Sequence, residues 1–185
     1  MNTSAGMHGV TRLNDLPRDE FIKVLPELCH LPVEDWAIDV VGQRPFSDFE
    51  DLIEKALSSV TALSDVNVVA AHVGLRRLGS RHDGFTGRRL RWAKQESARM
   101  DRDDEALQAL NQAQDAYEAK FGHVFLISAT GLTNDEMLAA LHARLTNSPE
   151  AECDAVREEL RKLVAIRLTR LVEELDDPEA ALTEA

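Results

Sequence analysis

Twice in this 185-residue chain a hydroxyl residue is followed, three places on, by a glutamate near the head of an apolar run: Ser47-Asp48-Phe49-Glu50 and Thr133-Asn134-Asp135-Glu136. The hydroxyl can accept from the third amide while the glutamate reaches back to the first, so the spacing marks helix starts. The rest of the chain agrees. Leu and Ala abound, Gly and Pro number 9 and 6, and aromatic residues make up 5%, which favours helices over a sandwich or barrel. At 44% apolar residues there is enough for one core, and a chain of this length most simply makes one domain.

Residues 1–12 are small, polar and Gly-bearing, and are expected to form a mobile leader. Asn14 or Asp15 can cap a first helix running through Cys29, with Pro17 near its start and Phe21, Val24, Leu25 and Leu28 on one face. Pro32 opens a second, from Val33 to Gly42, whose buried side holds Trp36, Val40 and Val41. Arg44-Pro45-Phe46 breaks the pattern. The Ser47 box then starts a third helix to Val60, and a fourth is expected from Ser64 or Asp65 through Leu75, with Val68, Val69 and His72 at helical spacing. Residues 79–87, rich in Gly and charge, are the clearest loop. Further helices are expected from Arg88 to Met100, from Asp103 or Asp104 to Phe121 with Gly122 as its cap, from Met137 to Leu145, and from Ser148-Pro149 to Leu175. Between them Val124-Phe125-Leu126-Ile127 reads as buried, extended chain. The expectation is an all-α fold, one compact bundle of about eight helices over residues 13–175, with an acidic tail over 176–185.

Charge and motifs narrow the function. The 21 Lys and Arg against 33 Asp and Glu give a formal charge of -12, which repels phosphate backbones and anionic lipid, so neither nucleic acid nor membrane is an expected partner. No apolar run approaches the ~20 residues of a membrane span. Cys29 and Cys153 lack CxxC spacing and no signal peptide is evident, so a reducing cytoplasm is expected. There is no GxxxxGK[ST], GxGxxG or GxSxG. His8, His30, His72, His82, His123 and His142 show neither HExxH nor another dense ligand spacing, so no metal is expected.

What remains is His72, a basic cluster and the segment after Gly122. His72 follows Val68, Val69, Ala70 and Ala71, and two readings stay open: a hydrogen-bonded core histidine, or an imidazole suited to proton transfer near neutral pH. Arg91 and Lys94, three apart, share a helix face that either pairs with the acidic surface or lines a cationic pocket for a small anion.

The order of Trp36, Arg44-Pro45-Phe46, Ala71-His72, the Gln95 segment, Tyr117 with Lys120-Phe121-Gly122, Arg144-Leu145 with Asn147, and Arg167-Leu168 resembles the 2-oxo-4-hydroxy-4-carboxy-5-ureidoimidazoline (OHCU) decarboxylases, which close the route from urate to S-allantoin. The resemblance spans Leu13 to Leu171. It implies an all-helical homodimer that decarboxylates a small anionic substrate with no metal or organic cofactor. By that resemblance His72 is the proton donor, and the planar fork of Arg167 holds a carboxylate or ring carbonyl. Lys94 occupies the third catalytic position, and Arg91, Gln95, Phe125, Ile127 and Arg44 are substrate-binding candidates.

Two departures stand out. Val73 follows the histidine where the family has Pro, and Arg91 and Lys94 replace the Ser and Glu of a Ser-x-x-Glu-Gln signature. A carboxylate beside an imidazole favours its charged form, and an ammonium disfavours it. Lys94 as a buried base or imine-forming amine is therefore a second reading. A relative recruited to specialised metabolism, or a helical binding or dimerisation protein without activity, fits the same residues.

Overall fold

The computed structural model describes residues 7–29, 34–72, 75–80, 87–100 and 104–176. Residues 1–6 of the expected leader, His30, Pro32 and Val33, Val73, the loop residues 81–86, Asp103 and the tail from 177 lie outside the described residues. Among the described residues there are nine α-helices and no strand, in keeping with the expected class: α1 Met7–Asp15, α2 Arg18–Cys29, α3 Glu34–Gly42, α4 Phe49–Thr61, α5 Asp65–Ala70, α6 Gly87–Glu96, α7 Asp104–Phe121, α8 Asn134–Arg144 and α9 Pro149–Asp176. Contacts divide them into two compact units, one running up to Ala71 and resuming at Leu160, the other His72–Glu159.

In the first unit α2 packs on α3, α3 on α4, and α1 on α4. Its core holds Leu13, Phe21, Leu25, Trp36, Val40, Leu52 and Val60, all buried. The Trp36 indole N–H donates to the Ala56 carbonyl at 3.3 Å, which satisfies the one polar atom of that ring. A helix begins at Met7, inside the stretch read as a leader, because Gly9, Val10 and Leu13 are buried. α1 lies so close to α9 that a Cβ on Gly9 would stand 2.5 Å from the Val172 carbonyl oxygen. The Gly9 amide, in the first turn, donates to Asp176 Oδ1 at 2.5 Å, placing a carboxylate at the positive end of α1.

The Arg-Pro-Phe triplet is a clamp. Arg44 Nη1 donates to the carbonyls of Leu13, Asn14 and Leu16 at 3.3, 3.2 and 2.7 Å, and its Nε donates to Val41 at 3.3 Å. Leu13 and Asn14 lie at the end of α1, Leu16 just beyond it and Val41 near the end of α3, where a cation also complements the helix dipole. Asn14 binds the Phe46 main chain at both ends, Nδ2 to its carbonyl and Oδ1 to its amide, each at 2.9 Å.

The cap of α4 differs by one residue from its expected place. Asp48, not Ser47, accepts from the Asp51 amide at 2.8 Å, because a carboxylate serves as well as a hydroxyl there and adds favourable charge at the helix N-terminus. Asp51 in turn accepts from the Ser47 amide at 2.9 Å and from Lys55 at 2.8 Å. Lys55, then the Ser47 amide, hold its carboxyl below the usual range. The Thr133 box forms as expected, the Thr133 amide donating to Glu136 Oε2 at 2.8 Å.

α5 stops at Ala70 rather than Leu75. Val66, Val68 and Val69 make it a poor helix of β-branched residues, and His72 follows in a turn. α6 stops at Glu96 rather than Met100, where the Ser97 hydroxyl bonds back to the Ala93 carbonyl at 2.9 Å and the chain continues in short turns.

In the second unit α7 packs on α8 around Leu110, Ala113, Tyr117, Phe125, Met137 and Leu141. Gly122, at φ 78, ends α7 as expected, its amide returning to the Glu118 carbonyl at 2.8 Å. Residues 124–129 are irregular chain, with Phe125 and Leu126 buried. Residues 75–80 are anchored on α7 in two ways. Arg77 forks onto both oxygens of Glu118 at 2.7 and 2.8 Å and pairs with Asp115 at 2.7 Å. Buried Gln114 accepts from the Leu78 amide at 2.8 Å and donates to the Leu78 carbonyl at 3.3 Å.

Candidate active site

His72 sits in the turn that ends α5, and only 8% of it is exposed. Its ring stacks on that of His123, with centroids 4.0 Å apart and planes tilted by 33°. His123 follows the Gly122 cap, so the end of α7 delivers it. Its Nδ1 lies 3.2 Å from the Val124 carbonyl oxygen; that oxygen can only accept, so a hydrogen bond there puts the proton on Nδ1.

The His123 ring also lies 6.2 Å from Phe121, nearly parallel, and 5.6 Å from Tyr117, edge-on. Tyr117 meets Phe125 edge-on at 5.0 Å. Two imidazoles thus stand at the margin of an aromatic cluster.

Beneath the cluster lies a buried polar knot. Glu152, 1% exposed, accepts from the Tyr117 hydroxyl, from Arg144 Nε at 2.9 Å and from Asn147 Nδ2 at 2.8 Å. Arg144 Nη1 donates to the Leu126 carbonyl at 2.6 Å, and its guanidinium lies 4.6 Å from the Phe125 ring centroid. One arginine therefore fastens the irregular segment that carries Phe125 and Ile127 to the buried carboxylate. Burial first, and then the bond to Glu152, hold the Tyr117 phenol well above its ordinary value. Lys120 closes the other side, donating to the carbonyls of Leu145 and Asn147 at 2.6 and 2.7 Å.

The remaining candidates fall in different places. Phe125 is buried and Ile127 half-buried against the same core as Tyr117. On α6 Arg91 is half-buried, while Lys94 and Gln95 are exposed. An exposed Lys94 is not the buried amine that an imine-forming role requires. Arg167 is buried on α9 and belongs, like Arg44, to the first unit. Arg44 is occupied by main-chain carbonyls.

Sequence reasoning missed His123, considering it only as a metal ligand, and missed Glu152 altogether. The signal for His123 was its place directly after a helix-ending glycine and before a buried segment; for Glu152, the first turn of a helix opened by Ser-Pro. Among the described residues no group of three His, Cys, Asp or Glu side chains is placed to hold a metal ion, and no helix is long and apolar enough to cross a membrane.

The sequence matches the family model described as OHCU decarboxylase over residues 14–169. It is 28% identical over 171 residues to the 2-oxo-4-hydroxy-4-carboxy-5-ureidoimidazoline decarboxylase of Mus musculus, covering 88% of this chain and 92% of that protein. A 66-residue stretch is 39% identical to the uric acid degradation bifunctional protein TTL of Arabidopsis thaliana, covering 36% of this chain and 20% of that longer protein. A crystal structure of OHCU decarboxylase in the presence of (S)-allantoin has the same fold, at a TM-score of 0.66 and 22% identity, covering 80% of this chain and 96% of that chain.

Proposed function

The chain belongs to the OHCU decarboxylase family, and on that premise we propose that it decarboxylates a small carboxylated nitrogen heterocycle on the route from urate to allantoin, with no metal or organic cofactor. The reaction breaks the bond between the ring carbon and its carboxylate. CO2 leaves, the electron pair passes into the conjugated carbonyl or imine of the substrate, and one proton is added to the carbon. The substrate is its own electron sink. The protein need only hold the anion, keep water away and deliver the proton to one face.

The observation that carries this reading is the His72 imidazole, mostly withdrawn from water and held against a second ring at the edge of the Tyr117, Phe121 and Phe125 cluster. His72 donates the proton. Phe125 and Ile127 supply apolar lining. Arg167, with a rigid fork of donors, takes a carboxylate or ring carbonyl. Arg91 and Lys94 on α6 favour approach of an anion, and the Gln95 amide can hydrogen-bond it; water screens the exposed Lys94 ammonium, so its charge acts only weakly on groups elsewhere. The reading includes a homodimer in the cytoplasm.

Freshly generated substrate, followed by circular dichroism of the allantoin formed, tests it. Wild type is expected to accelerate formation of one enantiomer, and His72→Ala to lower kcat by at least about 100-fold, the lower range of a positioned acid. A wild-type rate equal to spontaneous decay rejects it in favour of a binding protein, and a fully active His72→Ala rejects His72 as the proton donor that carries it.

A further inference from the structure

The His123 ring faces that of His72 and is itself held by its own surroundings. We infer that His123 is a positioning residue for His72: its ring, stacked at 4.0 Å, fixes the plane in which the His72 imidazole presents its proton. The inference rests on the reading that His72 is the proton donor.

An imidazole turns about a broad terminal torsion, whereas proton transfer to carbon requires the N–H aimed along one lobe of the carbanion within hydrogen-bond reach. A ring stacked against one face removes most of that freedom. His123 can do so because its own plane is set from several sides: by the contact of Nδ1 with the Val124 carbonyl at 3.2 Å, by the near-parallel Phe121 ring and by the edge of Tyr117. Tyr117 is in turn held by Glu152 and Arg144. Order built into a buried ion pair is thus passed through two rings to His72. The contact needed is a flat ring, not a second proton donor.

The test compares His72→Ala, His123→Ala and His123→Phe for kcat and KM in the dichroism assay, with folding checked by the far-ultraviolet signal. The expected result is a fall in kcat of about tenfold or more for His123→Ala with KM within about twofold, and recovery to within about twofold of wild type for His123→Phe, since small misplacements cost that much or more. The Hε1 resonance of His72 should move downfield in His123→Ala, as the ring current is lost, and return in His123→Phe. Should His123→Ala fail to fold, His123→Leu, which keeps bulk without a ring, takes its place with the same expectation. An unchanged kcat in His123→Ala beside an inactive His72→Ala overturns the inference alone. His123→Phe as impaired as His123→Ala also overturns it, by assigning the effect to imidazole chemistry. A fully active His72→Ala removes the inference together with the reading beneath it.

Discussion

Tyr117 is buried and donates its phenolic proton to a buried carboxylate, and a pH dependence of stability follows from the burial first and from that bond second. A phenol held above its ordinary value of 10.0 in the folded state contributes stability that is intact below pH 10 and is lost as pH rises past it, because the unfolded phenol releases its proton first. Between about pH 9 and about pH 11 the urea midpoint of wild type is therefore expected to fall more steeply than that of Tyr117→Phe. At neutral pH the same variant loses a bond to a charged acceptor, at a cost of about 1.5–3 kcal/mol. Equal slopes for the two proteins would show that the phenol does not titrate with unfolding. Tyr117, Arg144 and Asn147 were recognisable as members of an ordered pattern, but Glu152, the residue whose carboxylate joins them, was not. A buried carboxylate in a surface-like Glu-rich helix looks like solvated charge until its donors arrive from other elements.

At the scale of elements the capping chemistry was legible and the ends were less so. The Thr133 box and the Gly122 stop depend on neighbours within four residues, and both form as read. The short α5 and α6 ends, and the one-residue shift at Asp48, reflect local competitors of nearly equal strength. α1 was missed for a different reason: its apolar face is short and is covered by elements distant in sequence, α4 and α9. Gly9 is the contact that permits this packing. Gly9→Ala puts a methyl 2.5 Å from the Val172 carbonyl oxygen, so despite the better helix propensity of Ala it is expected to destabilise by about 1–3 kcal/mol, read from the urea midpoint, with faster amide exchange confined first to α1. A neutral or stabilising outcome would mean that α1 shifts freely over α9. The placing of His72 beside His123 could not be read either, since histidines so distant in sequence meet only through the fold.

For the whole molecule the imbalance of 33 acidic against 21 basic residues sets a general repulsion that the fold must carry. Raising NaCl from about 0.05 to about 0.5 M shortens the screening length several-fold and should raise the melting temperature by a few degrees, on the scale of about 2–4 °C per kcal/mol for a chain of this size; a fall would show that specific ion pairs outweigh the general term. The same salt loosens the Arg77 pairs with Glu118 and Asp115, yet it cannot touch the amide of Gln114, which carries no charge and meets Leu78 with both of its ends. Residues 75–80 are moored by one rope that brine slackens and another that it does not, so conditions that relax the surface leave that segment tied to α7.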